Sequence, residues 1–173
     1  ALGVYKLARA LGVKEKDIFK AFSRYHGAWR RMELRGNFLS PNFRSLIPVY
    51  DDYAHHPTEI KATLAAFREK FPGSKIVCVF QPHQADRLKK LFKEFTSAFD
   101  EANDLILLDV FRVKGRERQA TSDKEQGINS KKLAEAIHKR KGAPEKIIYL
   151  PKASSLRNSI IRNLFEIKNS KLK

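Results

Sequence analysis

One cysteine, Cys78, is the only thiol in 173 residues, and it sits inside the apolar run IVCVF. That scarcity excludes a disulfide framework and any cysteine-based metal site; the thiol is expected to be core, and a reducing cytoplasm suits it. Long hydrophobic runs are missing too. No apolar stretch approaches the roughly 20 residues that span a bilayer, and the opening ALGVYKLARALGV lacks the order of a signal peptide. We therefore expect a soluble, cytoplasmic protein with no membrane partner. Glycine-rich phosphate loops are also absent, since neither GxxxxGK followed by Ser or Thr nor GxGxxG occurs. If the chain touches a nucleotide, another domain must hold the phosphates. No GxSxG elbow occurs, and Cys78 lies mid-strand, so nucleophilic catalysis finds no support.

What is present is an ordinary globular composition, 42% apolar, enough for one domain or for one domain plus a short piece of a neighbour. The formal charge of +16 invites a nucleic-acid reading, because clustered Lys and Arg gain affinity by releasing counterions from phosphates. The basic residues are spread over every helix-like segment instead of forming one stripe. Zinc-finger spacing, an RNP sequence and a convincing helix-turn-helix are all lacking. A solvated face or small anionic substrates explain the charge as well, and nucleic acid is not the expected partner. A basic, non-catalytic nucleic-acid or phosphate-binding module remains the alternative from a different functional class.

Residues 1–25 read as two short helices, ALGVYKLARALG and KEKDIFKAFSRY, broken at Gly12. The next segment changes character, with Gly36 and Pro41 as turn signals and alternation toward Val49. From there short apolar runs at SLIPVY, KIVCVF, DLILLDVF and KIIYL read as buried strands. Between and after them lie four helical patterns: PTEIKATLAAFREKF, ADRLKKLFKEFTSAF, NSKKLAEAIHKR and SSLRNSIIRNLFEI. In the first, Pro57 suits the first helical position and Ile60, Leu64, Phe67 and Phe71 share a side. Residues 112–130 read as a long polar loop. Alternating strands and helices imply an α/β fold with crossover connections and a mainly parallel sheet, helices covering both faces.

In such sheets ligands gather beyond the carboxyl ends of the strands. That rule selects Asp51 to His56, Gln81 to Arg87 and Asp109 to Arg116, where the chemically capable residues do fall. His55, His56 and His83 with Asp52 could in principle supply metal ligands. Adjacent histidines cannot readily both turn inward, and no HxxxH or HxH spacing occurs, so no protein-held metal is expected. What remains is a helix start at Pro57 preceded by carboxylates and imidazoles, suited to ribose hydroxyls or an anionic group. The plainer alternative is that Asp52 satisfies loop amides and His56 caps the helix.

The stretch VYDDYAHHPTEIKATL, followed by KIVCVFQPHQADR and preceded by FSRYHGAWRRMELRG, resembles the C-terminal region of the Mur ligases over most of the chain. Within the family it is most similar to the branch that joins L-alanine to UDP-N-acetylmuramic acid. The alanine branch typically reads QPHRYTR where this chain reads QPHQADR, so Gln84 stands for an arginine while Arg87 matches. The branch that attaches a recycled tripeptide shares HHPT but differs at QPH, which makes it the second choice.

The resemblance implies a Rossmann-like C-terminal domain and a two-step reaction in the whole enzyme. ATP phosphorylates the lactyl carboxylate, and the amine of alanine then displaces phosphate from the acyl phosphate. It also implies that the central domain of the same chain supplies the P-loop lysine, the Mg2+ ligands and most phosphate contacts, none of which occur in this sequence. Carried over by motif, Asp52 would bind the ATP ribose, Arg31 at the inter-domain junction would reach the nucleotide, and Tyr53 and His55 would line the nucleotide and reacting centre. His83 and Arg87 would face the incoming alanine, His55 and His83 being the candidate catalytic groups. For Arg31 and Arg87 a purely structural ion pair stays open. Residues 1–33 are implied to be the tail of the central ATPase domain with its linker, and 34–173 the C-terminal domain, ending before its last strand. The partners implied beyond ATP, UDP-N-acetylmuramic acid and L-alanine are the central and N-terminal domains; this portion alone is expected to be inactive.

Overall fold

The computed structural model describes residues 2–25, 27–39, 46–111 and 127–155. They divide into two compact units, one made of the described residues up to Tyr53, the other of those from Ala54 onward.

The first unit opens with α1 (Leu2–Ala10) and α2 (Glu15–Ser23). Gly12, at φ +80°, makes the break between them in a conformation glycine adopts without steric cost. Glu15 and Asp17 lie in the first turn of α2, where carboxylates complement the helix dipole. Tyr5 and Phe19 pack their rings 5.9 Å apart and Ile18 is buried, yet α1 itself buries no residue. Two strands follow, β1 (Glu33–Leu39) and β2 (Leu46–Asp51), paired antiparallel from Glu33↔Asp51 to Leu39↔Leu46 with an irregularity between Leu34 and Gly36.

This hairpin corrects one expectation. The run SLIPVY was expected among the buried parallel strands, but β2 pairs only with β1 among the described residues, and most of its side chains keep solvent contact. The physical reasons lie in the run itself. Pro48 cannot donate a ladder hydrogen bond, which disfavours a central strand and leaves it opposite Asn37 in a two-stranded ribbon.

The second unit is the α/β part. In order it contains α3 (Pro57–Lys70), β3 (Val77–Phe80), α4 (Ala85–Lys90), α5 (Phe92–Thr96), β4 (Asp104–Leu108), α6 (Ser130–His138), β5 (Lys146–Leu150) and a 3-10 turn at Ala153–Ser155. The sheet runs β3-β4-β5, both pairs parallel, with β4 central and every one of its residues buried. A continuous apolar run such as DLILL is what a doubly flanked central strand requires. Ile60 and Leu64 of α3, Leu88 of α4, Phe95 of α5, and Leu133, Ala134 and Ile137 of α6 join Leu105 and Leu107 in one core. Phe80 anchors it, its ring 5.9 Å from Phe95 and 5.2 Å from Phe99.

The pattern ADRLKKLFKEFTSAF is not one helix. Leu91, at φ −111° and ψ 26°, separates α4 from α5. The second piece stops at Thr96, where the Thr96 and Ser97 hydroxyls donate to the carbonyls of Lys93 and Glu94, at 2.7 and 3.3 Å. Such local bonds compete with helix continuation. Phe99 still reaches the core, from a turn instead of a helix face. The fourth helical pattern from Leu156 onward, and residues 112–126 of the polar loop, lie outside the described residues. Among the described residues no helix is long and apolar enough to cross a membrane.

Candidate functional site

In the first unit, Glu33↔Asp51 closes the open end of the hairpin, so the loop before β1 meets the residues after β2. Arg30 and Met32 both have positive φ, 52° and 46°, a region rarely occupied by residues with a Cβ. Tyr53 N–H donates to the Arg30 carbonyl at 2.7 Å, and Met32 N–H donates to Asp52 Oδ2 at 2.8 Å. Arg31 is exposed and points Nη1 to within 3.9 Å of Asp52 Oδ1, whose side chain is only 14% exposed. Asp52 is thus a sheltered carboxylate braced by an amide, beside a guanidinium and an exposed Tyr53 ring. That arrangement can accept a pair of hydroxyls and offer a cation to a phosphate or base. The structure therefore brings Arg31, Asp52 and Tyr53 together. It also bears out part of the plainer alternative, because Asp52 does satisfy a loop amide.

In the second unit the start of α3 is organised by Glu59. Its Oε2 accepts from the backbone N–H groups of His55 at 3.0 Å and His56 at 3.3 Å, and lies 3.5 Å from His55 Nδ1. His56 Nδ1 in turn accepts from Thr58 N–H at 3.3 Å, so this imidazole is a cap. A nitrogen that accepts carries no proton, which fixes the proton of a neutral His56 on Nε2. His55 and His56 therefore have different tasks: one is held half-buried ahead of the helix, the other spent on the helix end.

The carboxyl end of the parallel sheet holds the remaining candidates. His83 is exposed just beyond β3 and packs its ring 4.8 Å from Phe111, beyond β4. Arg87 is half-buried in the first turn of α4, whose N-terminal end carries Gln84. The loops are tied by Gln81 Nε2 donating to the Asp109 carbonyl at 3.0 Å and Phe111 N–H donating to the Pro82 carbonyl at 2.8 Å. Tyr149 of β5 donates its hydroxyl to Asp109 Oδ1 at 3.0 Å. Burial, and then Asp109, hold that hydroxyl above the ordinary tyrosine range.

Sequence reasoning missed several of these groups. Asp109 fell in the right window but carried no motif, and Tyr149 sits inside a strand where nothing marks it. Arg30 was passed over for its neighbour, although an Arg-Arg pair next to a β-strand start was visible. Among the described residues no three His, Cys, Asp or Glu side chains stand close enough to share a metal ion.

With this geometry in place, comparison with known proteins identifies its class. The Mur ligase, glutamate ligase domain matches residues 30–166, and the chain belongs to that family. It is 41% identical over 141 residues to the UDP-N-acetylmuramate–L-alanine ligase of Clostridium kluyveri, covering 81% of this chain and 28% of that protein. The enzyme of the same name from Clostridium botulinum is 42% identical over 132 residues, 76% of this chain and 26% of that protein. The chain thus spans little more than a quarter of the relatives it matches. Among solved structures, the UDP-N-acetylmuramate-alanine ligase of Thermotoga maritima superposes with a TM-score of 0.66 at 25% identity, over 91% of this chain and 29% of that one. A murein peptide ligase from Psychrobacter arcticus shares the fold, with a TM-score of 0.51 at 21% identity over 82% of this chain and 26% of that one.

Proposed function

We propose that this chain is the C-terminal part of a cytoplasmic ligase that joins L-alanine to UDP-N-acetylmuramic acid at the expense of ATP, in the synthesis of peptidoglycan precursors. Residues 1–33 are the end of a central ATPase domain with its linker, and 34–173 form the C-terminal domain. The observation that carries this reading is the 41% identity over 141 residues to a ligase named for that reaction. The exposed apolar side chains of α1, Leu2, Val4 and Leu7, support a covering by further protein, as a central domain would provide.

In the proposed reaction the γ-phosphoryl group of ATP passes to the lactyl carboxylate. The alanine nitrogen then attacks the acyl carbon, the C–O bond to phosphate breaks, and the amide forms as the amine loses a proton. The fit of this chain to ATP rests on Asp52 and Arg31: a sheltered carboxylate accepts the two ribose hydroxyls, and an exposed guanidinium beside it reaches the nucleotide. Mg2+, in this reading, is bound by the central domain and offsets phosphate charge there. Tyr53 and His55 line the nucleotide and the reacting centre. His83 and Arg87 receive alanine, with the guanidinium pairing its carboxylate. Gln84, beside them, replaces one cation and leaves Arg87 the larger share of that task.

The test is substitution in the complete protein. Asp52→Ala and Arg87→Ala are each expected to lower kcat/KM for ATP-dependent alanine addition by about a hundredfold, the scale of a lost charge-assisted contact in a closed site. Near-normal turnover in both contradicts the site assignment.

A further inference from the structure

Arg30 has no task in the proposed reaction, yet its side chain is engaged on several sides at once. Its guanidinium makes a two-pronged bond to Asp51, Nε to Oδ2 at 2.9 Å and Nη2 to Oδ1 at 3.3 Å. Its Cζ lies 5.6 Å from the centre of the Trp29 ring and 5.2 Å from that of Tyr53. Its own N–H donates to Glu33 Oε2 at 2.9 Å while its carbonyl receives Tyr53 N–H. With side chains about one third exposed, an isolated Arg–Asp pair would contribute little. This one is not isolated. Arg30 itself and Met32, the residues on either side of Arg31, are both left-handed, a conformation that persists only where surroundings hold it. Met32 is held by Asp52 itself.

We propose that Arg30 is a positioning residue: by clamping Asp51 and Tyr53 it presets the backbone of Arg31 and the direction of the Asp52 carboxylate before the nucleotide arrives. This rests on the reading of Asp52 and Arg31 as nucleotide-binding and adds to it the device that orients them. Arg30 and Arg31 then divide the labour, one turned to the protein, the other to the ligand. The gain is preorganisation, which lowers the ordering cost of binding and leaves the chemical step alone.

The experiment uses the full-length enzyme and measures KM for ATP, kcat and melting temperature for Arg30→Ala, Arg30→Lys, Asp51→Ala, the Arg30→Ala/Asp51→Ala double variant and Asp52→Ala. Arg30→Ala and Asp51→Ala are expected to raise KM for ATP about tenfold, the worth of one charge-assisted pair, with kcat at saturating ATP changed less than about threefold. The double variant is expected to be no worse than the worse single, because both remove the same clamp. Arg30→Lys keeps the charge without the fork and is expected to recover part of the loss. A lowered melting temperature with unchanged KM for ATP, or additive effects in the double variant, overturns the proposal. If Arg30→Ala does not fold, Asp51→Ala and Arg30→Lys carry the same comparison. Asp52→Ala separates two failures: if it raises KM while the clamp variants do not, only the positioning role falls; if it too leaves KM unchanged, the nucleotide reading falls with it.

Discussion

Cys78 and His56 show how differently two chemically capable residues are used. Desolvation pushes the Cys78 thiol up to about 12, because an ionised sulfur packed against the core, in a residue that is itself partly buried, would lose its water. The thiolate is the reactive form, so native protein at pH 8 is expected to resist iodoacetamide, and protein in denaturant to react readily, as mass spectrometry can follow. The linkage runs the same way. A group whose folded pKa is raised stabilises the fold fully below its unfolded value near 9.0, and that contribution is lost as pH rises toward 12. His56 is spent on capping α3. His56→Ala is expected to cost about 1 kcal/mol of stability in denaturant melts, and His56→Asn to restore most of it. His56 as the cap is offered by its place just before Pro57; what the sequence does not show is that Glu59 returns its carboxylate to the amides of both histidines.

At the scale of elements, α3, β3, β4, α6 and β5 were legible because their apolar runs and stripes match the periods of a buried strand and an amphipathic helix. The split at Leu91 was not, since no Pro or Gly marks it and the stripe Leu88, Phe95, Phe99 reads the same in one helix or two. The pairing of β2 was misread for a related reason: an apolar run states that a strand exists, while its partner is set by the hairpin and by Pro48. Polar ties between elements were also invisible. Arg68 of α3 donates to the Glu101 carbonyl, the Ser74 carbonyl and Asn103 Oδ1 at 2.8, 2.7 and 2.6 Å, joining the helix to the starts of two strands. Asp104 at the start of β4 is 3% exposed and has Lys75 Nζ at 2.9 Å, held by charge and proximity without an aligned hydrogen bond. Lys75→Ala leaves that carboxylate buried and unpaired, and we expect a loss of about 2 kcal/mol, less than for a fully buried pair because Lys75 keeps solvent contact. Phe99→Ala, at a fully buried position, is expected to cost about 3–5 kcal/mol in the same melts.

For the molecule as a whole, carboxylate, guanidinium and imidazole groups stand at strand ends in a sequence that has no glycine-rich phosphate loop. The DDYAHHPTEI segment spans the boundary between the two compact units, Tyr53 closing one and Ala54 opening the other. A motif that made sense as one cluster in the sequence thus serves two units in the fold. The net charge of +16 has no account in the described contacts. The most direct test of the proposed reaction supplies the full-length protein with ATP, UDP-N-acetylmuramic acid and one acceptor at a time, and follows ADP release together with the mass of the sugar-nucleotide product. The account predicts ADP formation that depends on L-alanine, with one amide formed per ATP and much weaker turnover with glycine, serine or a tripeptide. Turnover with the tripeptide and none with L-alanine, or none with any acceptor, would contradict it.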